Sequence, residues 1–130
     1  MASRIVTRAV LGVYVACFAA GAFNHARDFL LHGPRPYRSA PPMLEAFWSA
    51  LLPLDLGVCA LLLAGRRRAG LALAATIMAV DVGANSHAAR ALGYDLGSAL
   101  QLQTLFLGFV LGSLPFVWPP TRLGPPSPSA

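Results

Sequence analysis

Charge is what this chain has least of. Only 12% of its 130 residues are Asp, Glu, Lys or Arg, against about 25% in soluble domains. With 56% hydrophobic residues and a mean hydropathy of +0.61, it has too little polar surface to clothe a water-soluble fold of this length. Lysine is absent altogether. The ten basic residues are all Arg, at 4, 8, 27, 35, 38, 66, 67, 68, 90 and 122, and they flank apolar runs rather than line one stripe. The net charge of +5 therefore reads as a membrane-topology signal, and nucleic acid is not an expected partner. Cysteine is scarce as well: Cys17 and Cys59 sit inside apolar runs with no CxxC, which argues against paired-thiol chemistry and for simple packing. No nucleophile motif, phosphate loop or metalloprotease helix is present, so no cofactor can be named.

What the chain has instead is long apolar runs. Four of them, about 5–31, 43–64, 69–92 and 96–118, are each long enough to cross a bilayer core of about 30 Å. The fold class expected is all-α integral membrane, an antiparallel four-helix transmembrane bundle forming one domain over 1–118. Residues 119–130, rich in proline and polar, form a disordered tail. The first run admits a second reading. Arg4 and Arg8, an apolar stretch and Ala20-Gly21-Ala22 also fit a cleavable signal peptide, although apolar character resumes at Phe29–Leu31.

Arginine counts set the direction. Arg4, Arg8, Arg66, Arg67, Arg68 and Arg122 fall on one side, and Arg27, Arg35, Arg38 and Arg90 on the other. Both termini and the Arg66–Arg68 turn are assigned to the cytoplasm, in a plasma or bacterial inner membrane. Trp118 then lies near the inner interface and Tyr37, Trp48 and Tyr94 near the outer one.

Polar residues inside the spans are the candidates for function, because an ionisable side chain near a bilayer centre costs about 2.5–3.5 kcal/mol on insertion scales. With this topology nearly all of them fall in the outer half. Asn24, His25 and Asp28 end the first span; Asn85, Ser86, His87 and Arg90 end the third; Gln101, Gln103 and Thr104 begin the fourth. Asp55 and Asp81 each stand thirteen residues from Arg68, on opposite arms of the arginine hairpin, so at about 1.5 Å per residue they share one depth, roughly 20 Å from the turn. Two acids at one depth can face a common cavity, where repulsion favours a shared proton. Asp81 and Asn85 share a helix face (i, i+4), as do Gln101, Thr104 and Gly108, and both stripes are expected to point inward. Pro53 frees a backbone carbonyl at Ser49, one turn from Asp55.

Other readings stand beside these. His25, Asp28 and His32 could hold a metal or could be a wet interfacial cluster, and no metal is assigned. Asp81 and Asn85 could be glue between helices. Gly108 and Gly112 match GxxxG, read here as letting helices of the bundle approach. GAFNHAR (21–27) echoes GANSHAAR (83–90), as a two-span duplication would.

In outline the chain resembles small four-span families, the DoxX-like proteins and the sterol-isomerase and sigma-2-receptor group. The latter also places acids within the spans of one four-helix bundle. The likeness is of architecture and assigns no functional residue. The function expected is a polar pocket opening outward that binds, or helps transport, a small amphipathic molecule, lipid or cation. Asp55 and Asp81 would form its floor, Asn85, His25, Asp28, Gln101 and Asn24 its walls, and His87 would lie nearer the mouth. The alternatives are an accessory subunit in a homo-oligomer or larger membrane complex, and a membrane enzyme using acid/base chemistry on a lipid-soluble substrate.

Overall fold

The apolar runs fold as four helices. The computed structural model describes residues 3–121 and 124, and among them α1 spans Arg4–His32, α2 Pro42–Leu63, α3 Arg67–Ala91 and α4 Gly97–Val117, with no strand. Each helix is long and apolar enough to cross a membrane. Every boundary lies within two residues of the sequence expectation.

Local chemistry explains where the helices start and stop. Ser3 Oγ accepts the Val6 amide at 3.2 Å and caps α1. Pro41 and Pro42 open α2, where a missing N–H and a fixed φ do no harm. Gly65, at φ 75°, makes the tight turn into α3 in a backbone region where a side chain is strained. Just beyond it, a Cβ on Gly70 would stand 2.6 Å from Leu62 Cδ2, so α2 and α3 come together closely beside the arginines.

Consecutive helices pack side by side, up and down, and α1 packs on α4 more sparsely than any consecutive pair does. The core runs down the middle through Tyr14 and Phe18 of α1, Leu51, Val58 and Leu62 of α2, Leu71, Ala74, Ile77 and Met78 of α3, and Val110 and Val117 of α4. Two ends can be distinguished: the arginine end, with Arg66–Arg68, and the aromatic end, with the 33–41 loop.

At the arginine end α1 and α4 are joined. The Tyr14 hydroxyl donates to Val110 O at 3.0 Å and lies 3.0 Å from Ser113 Oγ, and its ring packs against Phe106 and Phe109. This half is thus less purely apolar than the sequence suggests. Arg67 Nη2 donates to Val117 O at 2.7 Å, and Arg68 Nη2 donates to Pro120 O at 2.8 Å. The start of the expected tail therefore runs along the arginine turn; residues 122, 123 and 125–130 lie outside the described residues.

Candidate functional site

Towards the aromatic end α1 and α4 part, and the gap between them is a cavity of about 550 Å³. Its sides are Cys17, Ala20, Gly21, Asn24 and His25 of α1 and Ala99, Leu102, Gln103 and Phe106 of α4. Leu51 and Asp55 of α2, and Ile77, Met78 and Asp81 of α3, form the back wall. Cys17, Ala20, Asn24, Ala99 and Leu102 are exposed. They form the rim, so the mouth lies on the flank of the bundle, between α1 and α4. The pocket expected to open at the end of the bundle opens sideways instead.

The equal spacing of Asp55 and Asp81 from Arg68 does bring both to one cavity. Asp55 is 5% exposed and makes no side-chain hydrogen bond within the described residues; its oxygens are not sealed off and open on the cavity. Space for it comes from Gly21, where a Cβ would stand 2.6 Å from Asp55 Oδ2. Asp81, 6% exposed, is half-satisfied: Asn85 Nδ2 donates to its Oδ1 at 3.0 Å. Asn85 is a hub behind the cavity. It also donates to Gln103 Oε1 at 2.8 Å and accepts from Trp48 Nε1 at 2.8 Å, tying α2, α3 and α4 together.

A second network covers the aromatic end. Arg35 grips Glu45 in a two-point contact of 2.7 and 2.8 Å, which pins the 33–41 loop to the start of α2 and raises the pKa of the guanidinium through that bond. The loop carries Tyr37 back over the helices. Its hydroxyl donates to Asp28 Oδ2 at 2.7 Å and meets His25 Nδ1 at 2.9 Å. Burial, and then the carboxylate of Asp28, push the Tyr37 phenol well above the usual value of 10.0, because both disfavour a phenolate. Tyr37, Trp48 and Tyr94 form an edge-to-face ladder with ring centroids 5.8 and 5.7 Å apart. These aromatics, expected near the outer interface, pack on one another.

The remaining expectations fare unevenly. Asp55, Asp81, Asn24 and His25 line the cavity, Asn85 stands behind Asp81, and Asp28 is linked to His25 through the Tyr37 hydroxyl. Gln101, Thr104 and Gly108 face outward, not inward; Thr104 returns its hydroxyl to Leu100 O at 2.8 Å. Gln103 takes the inward place. His87 is exposed and touches neither acid's cavity. His32 turns to the backbone oxygen of Asp28, and among the described residues no group of three His, Cys, Asp or Glu is arranged to hold a metal. Gly108 and Gly112 have nothing within 4 Å of a Cβ position, so they serve no close approach inside the bundle. Nor does the echo between α1 and α3 become symmetry: Gly21 packs on Asp55, whereas its counterpart Gly83 meets nothing.

Gln103, named among the polar residues of the fourth span, was not placed in the pocket, and Tyr37, Trp48 and Gly21 were missed as site residues. Trp48 left one signal, since an indole N–H that is partly buried must find an acceptor. No known protein family, curated protein or solved structure matches the chain.

Proposed function

We propose that this chain is an integral membrane protein that binds a small amphipathic molecule between α1 and α4. The ligand's polar end lies against Asp55 and Asp81, and its apolar body against Phe18, Leu51, Leu102 and Phe106. The observation that carries this reading is Asp55, a carboxyl 5% exposed with no hydrogen-bond partner among the described residues, facing a cavity shared with a second acid. An unpaired buried charge is among the most destabilising features a fold can hold, and no Arg lines the cavity to relieve it. A ligand bearing positive charge or hydrogen-bond donors would. The volume of about 550 Å³ lies within the 300–1,000 Å³ typical of small-molecule sites.

Membrane placement is supported by the large apolar side chains left outside, among them Leu30, Leu102, Leu105 and Phe116, and by the four candidate spans. The arginine end is cytoplasmic in this reading, with both termini, and the mouth of the cavity faces lipid in the outer half of a plasma or bacterial inner membrane. Cysteines placed at Ser39 and Ala69, with Cys17 and Cys59 replaced by Ser, check the direction. An impermeant maleimide added outside should label the first alone, and labelling only the second reverses the assignment.

Binding is tested on the purified chain in detergent, by thermal stabilisation with 4-phenylbutylamine as an amphipathic cation. A ligand at 100 times its Kd adds about 2.7 kcal/mol to a folded state it alone recognises. Asp55→Asn should abolish that gain, and Gly21→Ala, which pushes on Asp55 Oδ2, should weaken it. If both variants respond as the wild type does, the cavity is not the site.

A second reading has one observation of its own. The outward stripe Gln101, Thr104, Gly108 and Gly112 of α4 would suit a second copy or a partner subunit. Native mass spectrometry in micelles distinguishes a monomer from such an assembly.

A further inference from the structure

Donor and acceptor accounting around the cavity narrows the ligand. Tyr37 has one hydroxyl proton, and it goes to Asp28 Oδ2 at 2.7 Å. The 2.9 Å contact of the same hydroxyl with His25 Nδ1 then requires the imidazole to donate. A neutral His25 thus carries its proton on Nδ1 and a lone pair on Nε2, which has no hydrogen bond within the described residues. Burial of Tyr37 supports this order of donors by keeping its phenol protonated. Asn85 is oriented as firmly. Trp48 Nε1 can only donate, so Asn85 Oδ1 faces it, and the amide NH₂ is used up on Asp81 Oδ1 and Gln103 Oε1. What stays open at the back of the cavity is Asp81 Oδ2 and both oxygens of Asp55, with His25 Nε2 on α1, all of them acceptors once the two carboxyls give up any proton they share. The amide donors left among the described residues, on Gln103 and Asn24, belong to α4 and the rim.

Resting on the reading of this cavity as a binding site, we propose that its ligand is an N–H-bearing organic cation, a primary or secondary amine. Asp55, Asp81 and Nε2 of His25 accept its protons, and Tyr37 is the positioning residue that fixes the imidazole to do so. A quaternary ammonium has no N–H to give and leaves those acceptors unmatched. Its usual recognition, a cage of strong π faces, is also missing, since among the described residues the lining holds no Trp or Tyr and its rings are those of Phe18, Phe106 and His25. The apolar walls require a hydrocarbon body, which a hydrated inorganic ion lacks.

The test compares 4-phenylbutylamine with its N,N,N-trimethyl derivative on the purified full-length chain, by calorimetric titration in detergent. The amine should bind about tenfold more tightly or better, the worth of one hydrogen bond to a charged group. Equal or reversed affinities overturn the inference and leave the cavity as a site; binding of neither compound removes both. Nitrogen-15 NMR of the wild type should show His25 protonated at Nδ1, and protonation at Nε2 also overturns it. In Tyr37→Phe the tautomer should become mixed and the selectivity fall toward one, with the amine still bound. A merely structural tyrosine would lower stability and move neither.

Discussion

Along a single seam, α1 and α4 meet in two ways. At the arginine end Tyr14 is fully buried, yet its hydroxyl is matched by Val110 O and Ser113 Oγ, both at 3.0 Å. At the aromatic end the same helices separate around Asp55, almost as deeply buried and without a hydrogen-bond partner among the described residues. A hydrogen-bonded buried group adds modestly to stability, whereas one left alone carries its full desolvation penalty. Tyr14 holds the fold, and Asp55 is held by it.

That contrast can be broken most directly at Tyr14. Emptying the site with Tyr14→Ala should cost about 3–5 kcal/mol, the range for truncating a core aromatic, read from unfolding in detergent micelles. A loss below about 1 kcal/mol, no more than an ordinary hydrogen bond is worth, would mean that the seam is held elsewhere. Asn85→Leu comes next. It strands Trp48 Nε1, Asp81 Oδ1 and Gln103 Oε1 together, and the expected loss is about 1–2 kcal/mol, moderated by new partners these groups find in the unfolded chain. Asp55→Asn should change the stability of the empty protein by less than about 1 kcal/mol, or raise it, because it removes an unpaired charge and no bond. If Asp55→Asn instead unfolds the protein, Asp55 belongs with Tyr14 and the contrast collapses.

The sequence made the helices legible because each span carries a long apolar run and is bounded by Gly, Pro or Arg. It also made the meeting of Asp55 and Asp81 legible, since the short hairpin converts equal sequence distance into equal depth. What it hid was rotation. On α4 every face is apolar, so periodicity gives no inside or outside, and Gln101 was as plausible as Gln103. Only the shared spacing of Gln103 with the buried Val110 and Val117 distinguishes them, and that burial is not visible in the residues themselves. Tyr37 was hidden for a different reason. It is carried by a loop, and only the Arg35–Glu45 contact determines which helix residues it reaches.

The finest distinction concerns that loop. Because the Tyr37 pKa is raised above 10.0 in the folded state, its contribution to stability is fully present below the unfolded value. It is lost as pH climbs through the folded one, since the unfolded chain releases the proton first. Alkaline titration followed by phenolate absorbance should show tyrosine ionising later than free tyrosine, and Tyr37→Phe should diminish that late component by one group. Above about pH 10 the wild type should lose stability more steeply than Tyr37→Phe, by a small margin because the group is only partly buried. Equal slopes would show that the loop rests on Arg35 and Glu45 alone, and that the aromatic end, like the arginine end, is held by contacts that do not titrate there.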